Sequence, residues 1–106
     1  MRYLAILFAV PLSACAMSAS GLYRSSVEQT FTSTRSPQSV ATCVAESLNG
    51  NVQMRNDGQH YWVLRYNGYQ VPQIRWDFLP TEAGTRVELR TSIDIASGDE
   101  KVRACL

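Results

Sequence analysis

Cys15, Cys43, Cys105 and His60 are the residues of this chain with the most chemistry to offer. A thiol can be alkylated, oxidised or bound to a metal, and an imidazole can move a proton near neutral pH. Spacing limits those uses. Metal ligands must converge, and neither Cys43 nor Cys105 has a second Cys or His near it in the sequence. His60 is the single histidine, so any nucleophile–base arrangement must be built around it. No neighbour supplies an evident nucleophile with an orienting acid, and His60 reads as a surface or strand-end histidine. Ser97 and Glu100 have capping-box spacing, so Asp99-Glu100 reads as helix-cap chemistry, not as a catalytic carboxylate pair. The glycines fall at turns and caps, and none builds a phosphate-cradling loop. These residue types imply a protein that is not an enzyme, with no cofactor and no metal.

Cys15 stands in a different setting. Met1-Arg2 brings one positive charge, residues 3–12 are mostly apolar, and Ser13-Ala14 are small. A charged start, a short apolar run and a small-residue exit describe a secretory signal peptide. The run falls well short of the roughly 20 residues that span a bilayer as a helix. Leu12-Ser13-Ala14-Cys15 resembles the lipobox of bacterial lipoproteins, an aliphatic residue and two small ones before a cysteine that ends the apolar run. The resemblance covers the first 15 residues. It implies that diacylglycerol alkylates the Cys15 thiol, that the chain is cut before Cys15, and that the new amine is acylated. Acyl chains contribute about 0.8 kcal/mol per buried CH₂, so two or more anchor a protein without a spanning helix. Within that family Ala16, where Asp would retain the protein at the inner membrane, implies the outer membrane of a Gram-negative cell, facing the periplasm. The alternative is an ordinary signal-peptidase cut, for which Ala14 and Ala16 supply the small residues. The rest of the chain is similar only in general plan to small Gram-negative envelope lipoproteins, and no activity follows from that likeness.

Removing residues 1–14 leaves 92 of the 106 residues, with nine basic and nine acidic side chains. That length supports one domain with a modest core. Near-zero net charge without a basic cluster excludes a nucleic-acid-binding patch. Cys43 and Cys105 remain as an even pair, and in an oxidising compartment their default state is a disulfide. Two buried thiols or a metal site are the alternatives. Residues 15–25 read as the lipidated N-terminus and a small, polar tether, and residues 26–106 as the domain.

The elements follow from periodicity. Residues 26–34 alternate as a strand, with Val27, Gln29 and Phe31 on one face. Ser36-Pro37 opens a helix that Asn49-Gly50 ends, and its stripe of Val40, Cys43, Val44 and Leu48 points to the core. Strands follow from residue 51, over 60–66, over 69–79 and over 85–95, with turns at Asn56-Asp57-Gly58 and Asn67-Gly68 and a loop over 80–84. Val87, Leu89, Thr91, Ile93 and Ile95 share the inner face of the last strand. A short C-terminal helix carries Val102, Cys105 and Leu106. The order β-α-β-β-β-β predicts an α+β two-layer sandwich, an antiparallel sheet of four to five strands with the main helix on one face.

Two registers carry the functional expectation. If the strands over 69–79 and 85–95 pair so that residue numbers sum to 163, Asp77 meets Arg86 and Arg75 meets Glu88 on the outer face. A sum of 165 opposes Asp77 to Glu88 and Arg75 to Arg90. Cross-strand charge pairs favour the first by a few tenths of a kcal/mol each, at most about 1 kcal/mol, and make the outer face a solvated set of ion pairs. Around Asn67-Gly68, a two-residue turn puts Tyr61, Val63 and Arg65 inward. A three-residue loop with a bulge at Gly68 puts Trp62 and Leu64 inward instead. The second buries more apolar area and is preferred. It leaves Tyr61, Val63, Arg65 and Tyr69 as a possible partner-binding face. The expectation is a membrane-anchored envelope lipoprotein that binds or supports an envelope protein partner. The alternative is an inhibitor, immunity or phage-exclusion lipoprotein, for which Glu82 in the loop over 80–84 is the candidate contact.

Overall fold

A helix signal and strand alternation place the elements of the computed structural model, which describes residues 18–92 and 99–106. The residues expected to form a signal peptide and lipobox, Cys15 among them, the expected strand positions Ile93 and Ile95, and the expected cap residue Ser97 lie outside the described residues. In chain order the elements are α1 (Ala19–Tyr23), β1 (Gln29–Ser33), α2 (Pro37–Ser47), β2 (Asn51–Asp57), β3 (His60–Tyr66), β4 (Pro72–Thr81), β5 (Gly84–Thr91) and α3 (Asp99–Ala104).

The five strands form one antiparallel sheet in the order β1-β5-β4-β3-β2. β2 to β5 are a meander, and β1 closes the far edge beside β5. The chain therefore crosses the sheet between β1 and β2, and α2 is that crossing. Ser36 starts α2 by accepting the Ser39 N–H through its hydroxyl, and Pro37 occupies the first turn, where a missing N–H costs nothing. Val40, Ala41, Val44 and Leu48 bury against Phe31, Val63, Ile74, Trp76, Phe78, Val87 and Leu89 of the sheet. This is the predicted sandwich, with the predicted stripe as its seam. Trp76 is fully buried at its centre, though its indole Nε1 has no hydrogen-bond partner among the described residues.

Cys43 on α2 and Cys105, one residue beyond α3, form a disulfide, with Cα atoms 5.7 Å apart and a sequence separation of 62. It holds the C-terminal segment over the same seam, where Val102 is buried. Arg35 donates to the Cys105 carbonyl at 2.7 Å, and Ser33 donates to that of Leu106 at 2.8 Å.

Three expectations are corrected. The segment read as a tether contains α1. Its Leu22 is fully buried, on the side of the sheet opposite α2, and burying such a side chain contributes about 1.5–3 kcal/mol. The loop over 80–84 is a two-residue turn, because β4 runs on to Thr81, which pairs with Gly84. The β4–β5 register is the one that cross-strand charge had disfavoured: Asp77 opposes Glu88 and Arg75 opposes Arg90. Its reason lies in the burial of both faces of β4, described next.

Candidate functional site

β4 is the central strand, and residues 74–78 are buried on both faces. Ile74, Trp76 and Phe78 face α2; Arg75 and Asp77 face the other way, under α1. Asp77 is 0% exposed and Arg75 is 5% exposed. A carboxylate so buried must be paired and hydrogen-bonded, and Asp77 is. Arg75 grips it from two residues away on the same strand, with Nε 2.9 Å from Oδ2 and Nη2 2.8 Å from Oδ1. Arg90 of β5 donates from Nη1 to Oδ2 at 3.2 Å. His60 at the start of β3 places Nε2 2.8 Å from Oδ1.

The like charges that face each other across β4 and β5 are thus neutralised along and diagonally between the strands. Glu88 extends the pattern, taking Arg90 Nη2 at 3.2 Å and Arg86 Nε at 3.0 Å. The pairing rule that favoured a sum of 163 applies to a solvated face, where direct neighbours dominate. On a covered face a forked guanidinium reaches a carboxylate two residues along, and bidentate geometry decides.

α1 closes the cluster. The Ala19 carbonyl accepts from Arg75 Nη1 at 3.2 Å, and the Ser25 carbonyl accepts from Arg90 Nε at 3.1 Å. The Tyr23 ring lies 4.5 Å from the Arg75 guanidinium and 4.8 Å from that of Arg90, with Trp62 4.8 Å from Arg75. Cation–π contacts of this kind stabilise by about 0.5–2 kcal/mol each, most where water is excluded. The His60 ring sits between Tyr23 and Trp62.

The aromatic row is also reassigned. Tyr61 opposes Phe78, Val63 opposes Trp76 and Arg65 opposes Ile74, so all three stand on the α2 side. Val63 is a core residue and Tyr61 packs against the core. The expected partner-binding face of Tyr61, Val63, Arg65 and Tyr69 is therefore not assembled on the outer side; only Tyr69, 88% exposed, projects freely. The outer row is His60, Trp62 and Leu64, and Leu64 is buried there. The connection over 67–71 explains the register. It is longer than either loop considered, and Asn67 organises it through its side chain, whose Oδ1 accepts the N–H of Tyr69 at 2.7 Å and of Val71 at 3.0 Å. Gln70 takes the left-handed conformation, at φ 64°. A bulge between Arg65 and Tyr66 completes the shift.

His60–Asp77 is a histidine–carboxylate pair that sequence reasoning did not find. A carboxylate offers about four acceptor directions, and Asp77 spends them on two arginines and the histidine. The hydrogen bond shown for the His60 side chain among the described residues is the one to Asp77. Among those residues no three His, Cys, Asp or Glu side chains converge as metal ligands do. Cys43 and Cys105 are spent on each other. Glu82, the candidate inhibitory contact, sits exposed at the two-residue turn, beside a shallow groove of about 560 Å³ that Tyr61, Gln59, Pro37 and Gln38 also line. Comparison with protein-family models, curated proteins and solved structures produced no match. The chemistry of the chain itself therefore carries the functional reading.

Proposed function

We propose that this chain is a lipid-anchored protein of the bacterial envelope, acylated at Cys15, whose domain acts as a binding or structural module and not as an enzyme. The observation that carries this reading is the division of labour among three cysteines. Two are tied to each other in the domain, and the third ends an apolar run in the sequence Leu12-Ser13-Ala14-Cys15. A disulfide between Cys43 and Cys105 suits export to an oxidising compartment. The charged groups of the Arg75–Asp77–Arg90 cluster are engaged in mutual bonds and in bonds to the α1 segment, which favours a structural role for them. Ala16 supports sorting to the outer membrane, with the domain in the periplasm.

The test is an intact mass of the protein extracted from the membranes of a Gram-negative host, beside a Cys15→Ser control. The expected product begins at Cys15 and carries a diacylglyceryl thioether, and the control is neither acylated nor cut there. A soluble product cut after Ala14 or Ala16 without lipid overturns the reading. Cross-linking of the lipidated protein in its own envelope then reads out the partner. A dominant envelope protein lost with Cys15→Ser supports the binding role, and a captured hydrolase or phage protein redirects it to inhibition or exclusion.

A further inference from the structure

We propose that the face of the sheet carrying α1 lies against the phospholipid surface, with Tyr23 and Arg24 among the headgroups and α2 with its disulfide turned to the aqueous side. This inference rests on the lipidation of Cys15. Its geometric basis is the length of the spacer. Ser18 is the N-cap of α1, and only two residues separate it from Cys15. Three Cα-to-Cα steps reach at most about 11 Å.

The start of the domain is not free to move within that reach. Leu22 is buried, Arg75 holds the Ala19 carbonyl and Arg90 holds the Ser25 carbonyl, so Ser18 is fixed to the outer side of β4 and β5. A bilayer on the opposite side would lie beyond the sheet and beyond α2. A helix with its side chains is about 10–12 Å across, which alone uses up the spacer. The spacer therefore keeps the α2 side from the lipid and leaves the α1 side nearest to it.

The residues on that face have the right chemistry. Tyr23 is 41% exposed, one of the large hydrophobics that stand out from the surface among the described residues. Arg24 beside it is exposed, and Arg86 of β5 is half-exposed on the same side. Tyrosine favours the headgroup level of a membrane, and arginine pairs with phosphate through its forked donors. Glu28 is the opposing acidic residue on this stretch and is also exposed.

The test uses purified, lipidated full-length protein in vesicles of phosphatidylethanolamine and phosphatidylglycerol. An acylated Cys15 and a closed disulfide leave no other thiol, so a bimane label on Ser20→Cys reports the α1 face and one on Gln38→Cys reports the α2 face. Lipids with a nitroxide on the headgroup should quench the Ser20→Cys label at least three-fold more than the Gln38→Cys label. A flexible Gly/Ser insertion before Ser18, about twelve residues long, should bring the ratio close to one. Equal quenching at both sites of the lipidated protein, or a ratio unmoved by the insertion, overturns the inference while lipidation stands. An intact mass showing a free Cys15 thiol overturns both.

Discussion

Replacing Asp77 by Asn should be among the costliest single changes in this protein. The substitution keeps the volume of the side chain, so no cavity term enters. What changes is charge. Arg75, 5% exposed, loses its bidentate partner, and Arg90 and His60 lose the same oxygens. Removing one member of a buried ion pair costs about 3–5 kcal/mol, because the remaining charge is left uncompensated. Arg90 retains Glu88 and the Ser25 carbonyl, and Arg75 retains the Ala19 carbonyl and its contacts with Tyr23 and Trp62. These survivors place the expected loss at the low end, about 3 kcal/mol. For a domain whose whole stability is about 5–15 kcal/mol, that is a large share, and the midpoint of thermal unfolding should fall by more than about 10 °C. Urea titration followed by tryptophan fluorescence measures it, with an unchanged m-value confirming a native-state effect. A cycle with Arg75→Met should show a coupling above about 1 kcal/mol. In the alternative register Asp77 would face Arg86 on a solvated surface, where an ion pair contributes about 0.2–1 kcal/mol. A measured loss below about 1 kcal/mol would refute the buried cluster and restore that register.

Opening the disulfide should also cost heavily. The chain-entropy model gives about 4 kcal/mol for a closed loop of this length, and Cys43→Ala with Cys105→Ala, compared by denaturant midpoint, should approach that figure; a loss near zero would show that α3 docks without the bond. Gly84→Ala should destabilise by more than about 1 kcal/mol, because an L side chain is strained at that positive φ. Gly84 sits at φ 145°, and an added Cβ would fall 2.1 Å from the Ser33 carbonyl oxygen. Gly58→Ala, also at positive φ but in open space, is the control that separates the clash from the backbone cost.

The architecture could be read from the sequence because its signals are local. Ser36-Pro37 and Asn49-Gly50 bound α2 whatever packs against it, and Val40, Cys43, Val44 and Leu48 share a stripe by helical period alone. Ile74, Trp76 and Phe78, and Val87 with Leu89, declare an inner face by alternation. With Cys15 assigned to the lipobox, Cys43 and Cys105 are an even pair, and export to an oxidising compartment makes their bond the default expectation. The candidate site was legible only as residue types: Arg75, Asp77, Glu88 and Arg90 were seen as charges on one face, and His60 as a lone histidine.

Tertiary structure decided what those charges do. The short α1 carries too few residues for a periodic signal, so its burial of Leu22 could not be foreseen, and without α1 the outer face is a solvated surface. Once covered, the same face obeys different rules. Water no longer screens the charges, like neighbours are tolerated because forked arginines reach Asp77 diagonally, and His60 joins them. Register likewise hung on the connection over 67–71, where Asn67 caps two backbone N–H groups and Gln70 adopts a left-handed turn. A shift of one residue there exchanges every side chain of β3 between faces. Local periodicity names the faces of a strand, but which face is dry depends on a segment forty or more residues away.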